Sequence, residues 1–310
     1  MKNPLDLTVV MYHYVRDRGD DAEAGSGIPG MPVRVFEAQL DALSRQHTFV
    51  TWLDVRMALQ EQRPLPISAC LLTFDDGIRD HYINVFQTLR SRNISGLFFA
   101  LDRCDTHGLT LPHKIHFLLA KLGLVRLREA IWSELNDVQR EQFLQAERRY
   151  RRQHPPISTE RRINLLKAVL QRDLSNEVDP LLSELFQKHI GSEKELAGSY
   201  YLSSEQIQEM SAHGMHFGGH SRNHPWFDWI DAKARTIEIS SSAEWLRRFE
   251  ARPWAFAYPY GGRSEDSPQI LRRHGFLAAF TTQAQFRHSD PYLIGRLDGE
   301  EFAQDDQGYA

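Results

Sequence analysis

The sequence predicts an α/β fold in which parallel strands build a sheet or barrel, interrupted by a large helical insertion. Three observations carry this. Short apolar runs bounded by turn residues alternate with helical patterns at both ends of the 310-residue chain, which is the rhythm of β-α units. Between about residues 105 and 200 that rhythm stops and charged helical stretches replace it. The three stretches richest in chemistry each begin where a predicted strand ends.

The elements follow in order. "LTVVMYHYV" reads as the first strand, residues 35 to 46 as a helix, "HTFV" as a short strand and 53 to 61 as a second helix. "CLLTF" is a strand running into Asp75, followed by a helix from about Asp80 to Arg92 and a strand over 95 to 101. The insertion holds "KIHFLLAKLGL", "VQREQFLQAERRYRRQ" and, after the break "HPPIST", "RRINLLKAVLQRDL". Ser203 and Gln206 have capping-box spacing and Gly214 suits a C-terminal cap, so a helix is expected over 204 to 213. "MHFGG", a helix over about 231 to 249, "WAFAY", a helix before Gly275, "LAAFTT" and "YLIGR" complete the alternation. The expected organisation is a barrel from 1–104 and 201–310 with an inserted helical unit, 105–200.

Composition narrows the function. A 41% hydrophobic, 25% charged chain with net charge -4 is that of an ordinary globular protein, with no electrostatic reason to bind nucleic acid. No run approaches the roughly 18 apolar residues of a membrane span. Cys70 and Cys104 are the only cysteines, too few for a disulfide framework or a thiolate zinc site. That content, with the absence of a secretory pattern at the start, leads to the expectation of a cytoplasmic protein.

The chemistry lies in Asp75-Asp76-Gly77, His220 with His224, and Pro259-Tyr260-Gly261. In a β/α barrel the C-terminal ends of the strands share one face, so these distant stretches converge. Two imidazoles at His220 and His224 can grip one metal ion, and a carboxylate from Asp75 or Asp76 would complete a site with a position open for water. Each motif alone has a bland reading: histidines are often solvated, and Asp-Asp-Gly often marks a turn. Together they explain why two like charges adjoin. A cation bound by one carboxylate removes the repulsion and leaves the other free to act as a base.

These residues resemble the polysaccharide deacetylases that share the NodB homology domain, carbohydrate esterase family 4. "TFDDG" (73–77), "HSRNHP" (220–225) and "FAYPYG" (256–261) look like that family's first three motifs, and the similarity covers roughly 5–101 and 202–297. The resemblance implies a distorted (β/α) barrel of the NodB type. It implies Asp75 as general base, with Asp76, His220 and His224 holding one divalent ion, commonly zinc, with cobalt or nickel as alternatives. The backbone N–H of Tyr260 would stabilise the oxyanion, in a loop shaped by Pro259 and Gly261. The reaction would remove an N-acetyl group from an amino sugar in a glycan or glycan precursor. Competing readings are a metal-dependent amidase acting on a non-sugar C–N bond and a non-catalytic carbohydrate-binding relative.

Two departures matter. The family's arginine two residues before the Pro-Tyr pair is replaced by Ala257; Arg296 offers a substitute, with a surface cation as the competing reading. The late Leu-x-x-His stretch that supplies the family's general acid is absent. His13 and His288 are the nearest candidates, and a structural role is the expectation for both. Trp226 could stack on a sugar, as could Trp229, although core packing is expected of large aromatics. The basic stretch over 147–153 is expected to be a solvated helix face.

Overall fold

The computed structural model describes residues 5–17, 28–103, 108–153 and 158–300; Cys104, the first residues of the insertion and most of the break near residue 155 lie outside them. The chain begins with β1 (Leu5–Asp6) and β2 (Thr8–Tyr12). All five residues of β2 are buried, as a parallel strand covered on both faces requires. Then come α1 (Val33–Gln46), β3 (Thr48–Phe49), α2 (Trp52–Glu61) and β4 (Ala69–Asp76), also buried throughout. Where one regular helix was expected over 80 to 92, a wide π-type turn (His81–Phe86) runs into the short α3 (Gln87–Ser91), before β5 (Leu97–Ala100).

The insertion contributes α4 (Leu111–Glu134), α5 (Asp137–Gln153), α6 (Thr159–Ala168), α7 (Ser175–His189) and α8 (Glu193–Tyr200). α4 is broken at Gly123, where φ is 74°. The alternation resumes with α9 (Ser204–Ala212), whose Ser203–Gln206 capping box forms as expected, then β6 (His216–Gly219) and α10 (Ala232–Leu246). β7 (Trp254–Ala257), a 3-10 turn (Pro259–Gly261), α11 (Ser267–Arg273) and β8 (Phe276–Phe280) follow. β9 (Arg287–His288) pairs antiparallel with β1, a small sheet not anticipated in sequence. "YLIGR" is not a strand; it makes one bridge, at Ile294, before β10 (Leu297–Asp298).

The main sheet is parallel in the order β10-β2-β4-β5-β6-β7-β8, with β3 beside β4. Ile294 pairs with Phe280 on β8, and Leu297 pairs with Val10 on β2. The segment 294–298 therefore joins the two edges and closes a distorted barrel. Inside it pack Val9, Leu71, Leu97, Phe99, Ala257, Phe280 and Ile294. Outside, the helix-facing residues Val10, Phe74 and Phe98 belong to one apolar cluster with Phe117, Leu118 and Phe186 of the insertion. Among the described residues no helix is long and apolar enough to cross a membrane.

Candidate active site

The parallel register sets the rim of the site: Asp76 pairs with Ala100, Ala100 with Gly219, and Gly219 with Phe256. Residues at and just beyond these positions leave the sheet together. Alternation on β4 puts Leu71, Thr73 and Asp75 on the inner face and Phe74 on the helix side, so Asp76 would follow Phe74 outward. A φ of 78° at Asp76 and 62° at Gly77 breaks that alternation. A side chain on Gly77 would meet the Ala100 Cβ at 2.7 Å, so the turn needs glycine both for its dihedral and for its space.

The broken alternation leaves Asp76 Oδ1 3.5 Å from His220 Nε2 and 3.4 Å from His224 Nε2, while the two nitrogens are 3.1 Å apart. Ligands about 2.0–2.2 Å from a tetrahedral ion are separated by edges of about 3.3–3.6 Å; the two carboxylate–imidazole spacings match, and the imidazole pair, at 3.1 Å, is slightly short, so a small parting of the two rings lets the three donors fit one ion. Two further observations support the fit. Asp76 Oδ1 is buried without a hydrogen-bond partner. His220 Nδ1 lies 2.8 Å from the carbonyl of Ala257, which fixes its proton there and turns the Nε2 lone pair toward the other two ligands. Burial pushes the His224 imidazole down to about 3, keeping it neutral as a ligand must be. For Asp76, burial would raise the carboxyl, but hydrogen bonding from His113 and the two other histidines outweigh it and hold the group well below the usual range.

Asp75 has different company. Arg296 donates to it through both arms of its guanidinium, Nη1 to Oδ1 at 2.7 Å and Nη2 to Oδ2 at 2.8 Å, and is itself anchored by Nε to the carbonyl of Thr281 at 3.1 Å. Burial raises this carboxyl, and Arg296, followed by His220, more than compensates, leaving it below the ordinary value. Arg296 is 1% exposed, which removes the surface-cation reading.

Tyr260 sits in the 3-10 turn with φ 57°. Its ring meets His224 edge-on at 4.5 Å and stacks on Trp226 at 4.3 Å with an interplanar angle of 8°. Pro259 is buried, and a side chain on Gly261, where φ is 72°, would collide with Thr282. Core packing does not describe the tryptophans: Trp226 is half-buried and Trp229 is 50% exposed, with the Arg172 guanidinium over both rings. Their exposure follows from their place on the loop after His224, beyond the sheet.

A cavity of about 470 Å³ is lined by His13, Asp75, Asp76, His220, His224 and Tyr260 on the barrel side, and by Pro112, His116, Leu119, Ile163 and Lys167 from the insertion. The insertion thus walls the open end of the barrel. His13 lies just past the end of β2, and its Nε2 is 3.9 Å from Asp75 Oδ2. It faces the cavity, contrary to the structural role expected of it, because the strand ends one residue earlier. His288 does have a structural role: it is buried, with Nε2 against the carbonyl of Leu7 at 3.0 Å and Nδ1 accepting from Gly295 N–H. In the basic stretch, Glu147 and Tyr150 are buried, Arg149 pairs with Asp173, and Arg148 and Arg152 are exposed on a face away from the cavity. Sequence reasoning missed His113, His116 and Lys167, which carry no strand-end signal; their helices enter the site only through tertiary packing.

The class of fold is shared with solved deacetylase structures. Streptococcus pyogenes deacetylase PplD in complex with acetate aligns with TM-score 0.58 at 17% identity, over 97% of this chain and 98% of that one. IcaB from Ammonifex degensii aligns with TM-score 0.56 at 20% identity, over 97% and 96%. A de-N-acetylase from Aggregatibacter actinomycetemcomitans aligns with TM-score 0.56 at 14% identity, over 95% of each chain. At the sequence level residues 185–279 match the family model "Polysaccharide deacetylase", a span that includes the second and third motifs and not Asp75 or Asp76. The family found is therefore the one that the three motifs resemble, and the distorted barrel is the fold it implied. No curated protein matches the chain by sequence.

Proposed function

We propose that the chain is a metal-dependent hydrolase that removes the acetyl group from an N-acetylated sugar in a glycan or glycan precursor. One observation carries this reading: a three-donor set spaced for a single ion shares a cavity with a second carboxylate that is held ionised by a two-pronged arginine. Asp76, His220 and His224 would hold the ion, zinc first with cobalt or nickel as alternatives, and it would supply Lewis-acid polarisation and activate water. Asp75, oriented by Arg296, takes the proton from the attacking water. The backbone N–H of Tyr260 donates to the developing oxyanion, a contribution of about 3 kcal/mol for a well-aimed donor. His13, beside Asp75 on the cavity wall, delivers a proton to the departing amine. Trp226, which lines the cleft adjoining the cavity beside Tyr260 and Trp229, would border the bound sugar.

The arginine grip on Asp75 favours catalysis over binding alone, since recognition has no need of an oriented base. The test is acetate release by the full chain from N-acetylglucosamine oligomers, with zinc, cobalt or nickel added and after chelation. Release that chelation abolishes is the expected outcome. Glycan binding without acetate would favour the binding relative, and acetate from N-acetylated peptides alone would favour the amidase. The cytoplasmic address is also proposed, on cysteine content, and cell fractionation tests it.

A further inference from the structure

Among the described residues of the insertion, His113 is the buried histidine that touches the proposed metal ligands. It sits in the first turn of α4, 1% exposed, with Nε2 3.3 Å from Asp76 Oδ2. A carboxylate only accepts hydrogen bonds, so Nε2 carries the hydrogen. On the other side of the ring, two hydroxyls converge on Nδ1: Tyr201 Oη at 2.7 Å and Thr110 Oγ1 at 2.9 Å. Tyr201 Oη in turn accepts from the backbone N–H of Thr110 at 3.1 Å, leaving its own hydrogen free for the ring. The two hydroxyls are also 3.4 Å from each other, so Thr110, Tyr201 and His113 form one linked cluster, and it ends on the carboxylate oxygen that does not face His220 and His224.

The helix that carries His113 is held firmly. Its neighbour Lys114 is buried, 2.7 Å from Asp179, 2.8 Å from Ser183 Oγ and 3.4 Å from Glu193, which ties the start of α4 to α7 and α8.

We propose that His113 is a positioning residue for the metal-ligating carboxylate: by engaging Asp76 Oδ2 it presents Oδ1, which has no partner of its own, to the ion shared with His220 and His224. The insertion then helps build the metal site as well as walling the cavity. This rests on the metal reading given above. A histidine that orients a ligand typically sets metal affinity by about 10- to 100-fold.

The experiment is zinc affinity of the full chain, measured by competition with a chromogenic chelator, with circular dichroism confirming the fold of each variant. His113→Ala is expected to weaken zinc binding by about 10- to 100-fold. His113→Gln, whose side-chain amide N–H can reach the same oxygen, is expected to restore it to within a few-fold, and Tyr201→Phe, which removes only the hydroxyl, to give a smaller loss. Zinc bound by His113→Ala as tightly as by the wild type overturns the inference. So does an equal loss in His113→Ala and His113→Gln, which would mark a packing role. Wild type that binds none of zinc, cobalt or nickel overturns the metal reading itself, and the inference with it.

Discussion

Asp75 and Asp76 are adjacent in sequence and opposite in surroundings. Asp75 faces a guanidinium in a two-pronged ion pair, and Asp76 faces three histidines. Separate counter-groups let two buried carboxylates stay ionised side by side, which neither could do alone. The division of labour leads to opposite variants. Asp75→Asn should keep metal content near wild type and lose the proton transfer, about 100-fold or more in turnover. Asp76→Asn should lose metal, as should His220→Ala and His224→Ala. Metal stoichiometry measured beside turnover decides, and the assignment fails if Asp75→Asn loses the metal while Asp76→Asn keeps it. Arg296→Lys keeps the charge and gives up the fork, so turnover should fall on the order of 10-fold with metal content unchanged; unchanged turnover would remove Arg296 from the mechanism.

At the scale of elements, the site is built from turns that strands do not ordinarily make. Four of the seven described non-glycine residues with positive φ, Asp76, Ser221, His224 and Tyr260, lie on its strand-end loops. Such conformations cost about 1–3 kcal/mol each and persist where the surroundings enforce them. Gly77 is the hinge of the first loop, and Gly77→Ala should lower stability by about 1–3 kcal/mol through the Ala100 clash and the unfavourable φ, read as a fall in Tm. No change in Tm would mean that β4 and β5 give way at that point. Behind the second loop, Asp102 bonds Ser241 and is pushed up to about 6, mainly by burial. Its folded value lies above its unfolded one of 3.8, so its contribution is fully present at lower pH and is lost as pH rises from roughly 4 through 6. Asp102→Asn should therefore gain stability relative to wild type above pH 6 and not below 4, in paired denaturant titrations; a difference independent of pH would contradict this.

Across the whole molecule, barrel and insertion share one apolar cluster and one buried polar junction, in which Tyr14 Oη meets Tyr200 Oη at 2.6 Å and His116 Nδ1 at 3.0 Å. Phe117 of α4 packs edge-on against Phe186 and Tyr200. Unfolding should accordingly be a single cooperative transition. Phe117→Ala, which opens a cavity in that shared layer, should destabilise by about 3–5 kcal/mol and move the far-ultraviolet and tryptophan transitions together. Separate transitions would show that the insertion folds independently of the barrel.

The local parts of this protein were legible in its sequence because their causes are local. Asp76, His220, His224 and Tyr260 each stand at the end of an apolar run, and parallel strands bring their C-terminal ends to one rim whatever lies between them. The capping box at Ser203 needs only residues three apart. Three things were decided by tertiary structure alone. Arg296 reaches Asp75 across 221 positions because residues 294–298 close the barrel; the sequence offers it beside a surface-cation reading and suggests a full strand there, and only packing decides between them, through one bridge and a two-residue strand. His13 faces the cavity because β2 stops at Tyr12, a boundary set by pairing with β4 rather than by the apolar run, which continues past it. His113 meets Asp76 because α4 is fixed by contacts with α7, α8 and the barrel, and amphipathic periodicity tells which helix face is buried without telling what it is buried against.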